Sequence, residues 1–179
     1  GKLEMELKAL AAKPDPKAFY AVPYAVAQAN DHRQIFKHLY GAADAITSTD
    51  PEFAAYLRNR ARDFLSNDYE SGDASWVTGR FRNLNAQVGA YETYDDALFG
   101  VKAFPSFSLL LSDQKATDDL RKKLGGLQAI EDALPYDHHK RVREDISVGI
   151  YDVVADFGQA RGTNTATILP NDPLHSRKY

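Results

Sequence analysis

Apolar residues recur every three or four positions through the first third of the chain and every second position through much of the remainder. That change of period predicts helices first and strands afterwards. Leu3, Leu7 and Leu10 form a stripe at helical spacing, and Pro14 and Pro16 then break the chain. A second break is expected at Pro23. Asp31 is expected to cap a helix on which Ile35, Phe36, Leu39, Tyr40, Ala43 and Ile46 share one face. Thr49 or Asp50, followed by Pro51 and Glu52, is a start signal with proline in the first turn. Phe53, Leu57, Ala61 and Phe64 continue at three- to four-residue intervals behind it.

The pattern changes after Leu65. SNDYESGDASW is rich in Ser, Asn, Asp and Gly, and reads as a turn or loop leading onto a short helix around Trp76. NAQVGAYETY alternates and predicts a strand. VKAFPSFSLLL predicts another, with Pro105 placing it at a sheet edge or marking a bulge. Thr117 to Leu134 returns to helical spacing, interrupted at Gly125 and Gly126. DISVGIYDVVADFG alternates again through Ile146, Val148 and Ile150 and runs on into Val153 and Val154, and NTATILP is a last short strand candidate. The expected fold class is α+β: a helical lead-in over residues 1–70, then a β-rich lobe over 71–179 with an antiparallel or mixed sheet and one helical insertion.

Composition narrows the function classes. Net charge is −3, which argues against a nucleic-acid partner, since such proteins show a basic face. Arg80 with Arg82, and the run Arg121-Lys122-Lys123, are read as solvated faces. The absence of cysteine removes disulfides and thiolate metal sites. It suits a cytoplasmic or a periplasmic setting equally, so the compartment stays unknown. No apolar run approaches the roughly 20 residues of a membrane span, so no membrane partner is expected.

The candidate chemistry is acidic. His32, His38, His138, His139 and His175 show no H-E-x-x-H spacing, which would set two ligands on one helix face. Surface positions are the expectation for His138 and His139. YETYDD is more informative: Glu92 and Tyr94 fall on the same side of a strand running into a turn, beside Asp95 and Asp96. A carboxylate beside a phenol can bind a substrate amine or work as an acid/base pair. The aspartates can equally serve only to cap the next helix or turn. Neither a G-x-S-x-G elbow nor a phosphate loop is present.

The segments FYAVPYAVA, SNDYESGDASWV, GAYETYDDALFGVKA and ILPNDPLHSRKY resemble the dipeptidyl peptidase III-like zinc metallopeptidases. The likeness is to the branch fused behind a nudix domain in plants and standing alone in bacteria. It runs from about Phe19 to Tyr179, and YETYDDALFG is its most specific motif. The resemblance implies two lobes around a cleft, one built on a barrel-like sheet and one helical, with zinc held on a histidine-glutamate-histidine helix in the helical lobe. In the family that helix comes after the segment equivalent to ILPNDPLHSRKY. The chain is therefore expected to be a fragment upstream of the zinc motif, with no cofactor of its own and zinc in the full-length protein.

The same resemblance implies Glu92, Tyr94 and Asn171 as substrate-binding residues, with a peptide as substrate and the missing catalytic lobe as partner. Homo-oligomers through exposed apolar surface are a further expectation. Two departures matter. In the dipeptidyl peptidases the strand reads Glu-x-Tyr-x-Gly-x-x-Glu; here the register is Asn85, Gln87, Gly89 and Glu92. The family's Asn-x-Pro-Asn loop reads Ile168-Leu169-Pro170-Asn171. The rival expectation is a peptide-binding or structural module without catalysis.

Overall fold

Eight helices and three strands are seen among the described residues of the computed structural model. It describes all residues except 14–16, 18, 19, 21, 97–101, 144–147, 160–166 and 169–172. The short α1 (Lys2–Ala12) and α2 (Tyr24–Ala27) precede the long α3 (Ala29–Ile46) and α4 (Pro51–Ser66). The latter two pack against each other. Leu39, Ala43, Phe53, Leu57, Ala61 and Phe64 of the predicted stripes lie in the core, joined by Ala54 and Tyr56.

Asp50 does cap α4: its carboxylate accepts from the Phe53 amide at 3.1 Å, and Pro51 opens the helix. Its second oxygen accepts from the Arg82 amide at 2.7 Å, so the cap also holds the lead-in to the sheet. Asp31 does not cap α3. Gln28 stands at that position and Asp31 lies in the first turn, where its charge still complements the helix dipole. The helix begins three residues earlier than that cap position requires: the His32 amide already donates to Gln28 O, so Asp31 is inside the first turn.

A short α5 (Glu70–Thr78), the helix expected around Trp76, leads into the sheet. Strands β1 (Leu84–Glu92), β2 (Phe104–Ser112) and β3 (Tyr151–Gly158) pair antiparallel in that order. The described sheet is open rather than barrel-like. Ala86 pairs with Leu109 and Val88 with Phe107, and these side chains complete the core beneath α3 and α4. Tyr56 Oη donates to Ala86 O at 2.7 Å, tying α4 to β1.

Pro105 lies in the central strand, not at an edge. It is tolerated because it faces the bulge between Ala90 and Glu92, where the ladder is already interrupted. The insertion is α6 (Gln114–Leu124) and α7 (Leu127–Asp132), split at the two glycines. Val148 and Ile150 precede β3 instead of belonging to it. Ile146 and most of NTATILP lie outside the described residues. The final element is α8 (Pro173–Lys178). On β3, Val153, Val154 and Phe157 are more than half exposed.

Candidate functional site

The acidic motif sits where β1 ends. Tyr91 and Glu92 are its last two residues, and they lead into a turn in which the Asp96 amide donates to Thr93 O at 2.9 Å. The Glu92 carboxylate stands close enough to the Tyr94 phenol to act on its proton, so the two groups are neighbours on the turn. That carboxylate raises the Tyr94 pKa, both by accepting the proton's hydrogen bond and by its charge. Tyr94 is three-quarters exposed. The pair thus presents to solvent a carboxylate beside a neutral phenol whose one proton is turned toward it. Asp96 accepts from the Lys102 amide at 2.9 Å, closing the loop. The Lys102 ammonium lies over the rings of Tyr24 and Phe104 at 5.6 and 5.3 Å.

Tyr91 is turned the other way, into a buried charged cluster. Its ring curls over Gly89, where a Cβ would stand 2.8 Å from the ring, so glycine is needed there. Beneath it lies Arg60 of α4, which is 1% exposed. The guanidinium faces the rings of Tyr56, Tyr69 and Tyr91 at 5.7, 5.3 and 5.6 Å. It donates to Asp73 at 2.6 Å and Asp63 at 3.2 Å. Burial pushes the Asp63 carboxyl up to about 6, against the opposing pull of Arg60, Ser71 and the Gly72 amide. The folded value stands above the unfolded one. Keeping Asp63 ionised therefore costs stability: the cost is absent below about pH 4 and complete above about pH 6.

Asp73 also receives Nδ1 of His175 from α8 at 2.9 Å. Glu70 receives Lys178 and, at 3.0 Å, the Tyr179 hydroxyl. Tyr24 Oη donates to Ala103 O at 2.8 Å. The four segments singled out in the sequence thus interlock in space. PLHSRKY docks on DYESGD, whose Asp73 and Tyr69 surround Arg60, and Tyr91 of the acidic motif closes the cluster. FYAVPYAVA is pinned to the end of the same motif.

The remaining sequence candidates separate. Asn85 is buried, and its side-chain oxygen accepts from Trp76 Nε1 at 2.8 Å, so it is occupied structurally. Gln87 lies on β1 opposite Ser108. Ile168 is almost fully exposed, whereas Asn171 lies outside the described residues. His139 Nδ1 donates to Glu131 O at 2.7 Å from an exposed position, and His138 is likewise exposed. Among the described residues no three histidine, aspartate or glutamate side chains form a group that could hold a metal ion, so these residues do not fit a zinc site.

Sequence reasoning passes over Arg60 and Asp63. A signal is present: residue 60 falls on the apolar stripe, three positions after Leu57 and four before Phe64. A charge at a core-facing helical position is rarely left unpaired.

Helices packed on an open antiparallel sheet, with a carboxylate-phenol pair exposed at the strand end, place the chain among α+β modules. No family model matches it. A dipeptidyl peptidase III from Caldithrix abyssi superposes with a TM-score of 0.75 at 29% identity, over 86% of this chain and 30% of that one. A dipeptidyl peptidase III from Corallococcus sp. strain EGB gives 0.73 at 25% identity, over 96% and 36%. Nudix hydrolase 3 of Arabidopsis thaliana is 30% identical over 164 residues, which is 89% of this chain and 21% of that protein. The chain is a dipeptidyl peptidase III-like module, and it spans about a fifth to a third of the relatives it matches.

Proposed function

We propose that the chain forms a wall of the substrate cleft in a zinc-dependent peptidase of the dipeptidyl peptidase III kind, and that the metal is supplied by the rest of the protein. Glu92, Tyr94 and Asn171 contact the peptide. The observation that carries this reading is the pairing of Glu92 with Tyr94 on an exposed turn, held by buried structure beneath. The carboxylate accepts from a protonated amine, as at a peptide's amino terminus, while the phenol oxygen accepts from a neighbouring peptide N–H. The exposed Val153, Val154 and Phe157 suit a face covered by further chain in the longer protein.

A peptide-binding or structural module without catalysis is the second reading. Asn85 favours it, since the side chain at the position of the family's first glutamate is spent on Trp76.

The test is kinetic and uses the full-length protein. Glu92→Gln keeps the shape and removes the charge. A charged hydrogen bond is worth about 1.5–3 kcal/mol, so kcat/KM for a peptide with a free amino terminus should fall on the order of 10- to 100-fold. The fall should appear mainly in KM. Unchanged kinetics would remove Glu92 from the site, and a wild-type protein without peptidase activity would leave the non-catalytic reading.

A further inference from the structure

The turn that carries Glu92 and Tyr94 is gripped from the side by the residue just beyond β3. Gly158, the last residue of β3, has φ +67°, and a Cβ there would stand 2.3 Å from Pro105 O. Only glycine takes that backbone so close to a carbonyl. The chain turns, the Gln159 amide donates to Pro105 O, and the Gln159 side chain is delivered to residues 92–95. With its amide oriented to match its neighbours, its side-chain oxygen accepts from the backbone amides of Tyr94 at 2.7 Å and Asp95 at 2.6 Å. Its nitrogen donates to Glu92 O. One half-buried side chain therefore satisfies three backbone groups of one turn.

We propose that Gln159 is the positioning residue of the Glu92–Tyr94 pair: it fixes the turn in the one shape that lets the phenol reach the carboxylate. Three features converge on this. The bulge between Ala90 and Glu92 takes this end of β1 out of regular pairing with β2, so the ladder alone does not set the turn. The backbone bonds made by Gln159 span both members of the pair. The left-handed backbone at Gly158 brings Gln159 up against that turn. The consequence for peptide binding rests on the reading of the Glu92–Tyr94 turn given above; the positioning itself does not.

The experiment compares wild-type chain with Gln159→Met, which has similar length and no hydrogen bonds, and Gln159→Glu, which keeps the two acceptor bonds. Tyr94 ring signals are followed by NMR through a high-pH titration, alongside amide exchange at Tyr94 and Asp95. In Gln159→Met the Tyr94 titration should move down toward that of an ordinary tyrosine, because the phenol parts from Glu92. Exchange at the two amides should speed up roughly 10-fold, the equivalent of one hydrogen bond. Gln159→Glu should retain the slow exchange, and it provides the comparison with wild type should the methionine variant not fold. An unmoved Tyr94 titration with unchanged exchange in Gln159→Met overturns the proposal. If the titration and exchange change but affinity for a free-amine peptide does not, Gln159 positions the turn and it is the peptide-binding reading that fails.

Discussion

Arg60→Leu should cost about 3–5 kcal/mol in urea unfolding, a large share of the roughly 5–15 kcal/mol that holds a domain folded. The loss is not the value of the ion pairs. It is the penalty of leaving Asp63 and Asp73 inside the protein with no guanidinium between them. The aromatic contacts with Tyr56, Tyr69 and Tyr91 go as well. This cause has a diagnostic. Adding Asp73→Asn removes one stranded charge, so the double variant should be more stable than the sum of its two single losses predicts. Strict additivity would mean that the cluster is not electrically coupled. Because Tyr91 adjoins Glu92, the same substitution should also disorder the end of β1.

Phe64→Ala should be comparably damaging for a different reason. Phe64 is 2% exposed and lies in the last turn of α4. Its ring meets His32 edge-on at 5.2 Å and Tyr69 at 5.7 Å. Truncation to alanine in a core costs about 3–5 kcal/mol through lost transfer energy and the cavity left behind. For a chain of this size that lowers the melting temperature on the order of 10 °C. Phe64 O also accepts from His32 Nδ1 at 2.7 Å, which satisfies one of the helix's last carbonyls. The proton therefore sits on Nδ1, and the buried Nε2 finds no partner among the described residues. That backbone bond survives the substitution only if the two helices keep their packing. A loss below about 1 kcal/mol would show that the α3–α4 contact collapses around the gap without strain.

Much of the fold is legible in the sequence where one local rule acts alone. The Asp50-Pro51 start, the α4 stripe and the split at Gly125-Gly126 are each decided within a few residues. Asp31 departs from its expected capping role because α3 starts earlier, at Ala29 behind Gln28, which a capping residue type alone cannot reveal. Pro105 does mark a bulge, one of its two expected readings, but that its strand is central rather than an edge depends on β3, which comes from distant chain. In the site, the Glu92–Tyr94 pairing can be read from spacing. Arg60 and Gln159 cannot be paired with their partners, because Asp73, Tyr91 and the 92–95 turn come from elements distant in the chain. Arg60's place on the apolar stripe signals only that it needs some partner.

The most direct measurement titrates a short peptide into this chain while the backbone amides of residues 92–96 are followed by NMR, once with a free amino terminus and once acetylated. The free-amine peptide should shift those signals in a saturable way, and acetylation should weaken binding on the order of 10-fold or more by removing the charge that Glu92 accepts. Equal binding of both peptides, or shifts confined to other parts of the chain, would contradict the account.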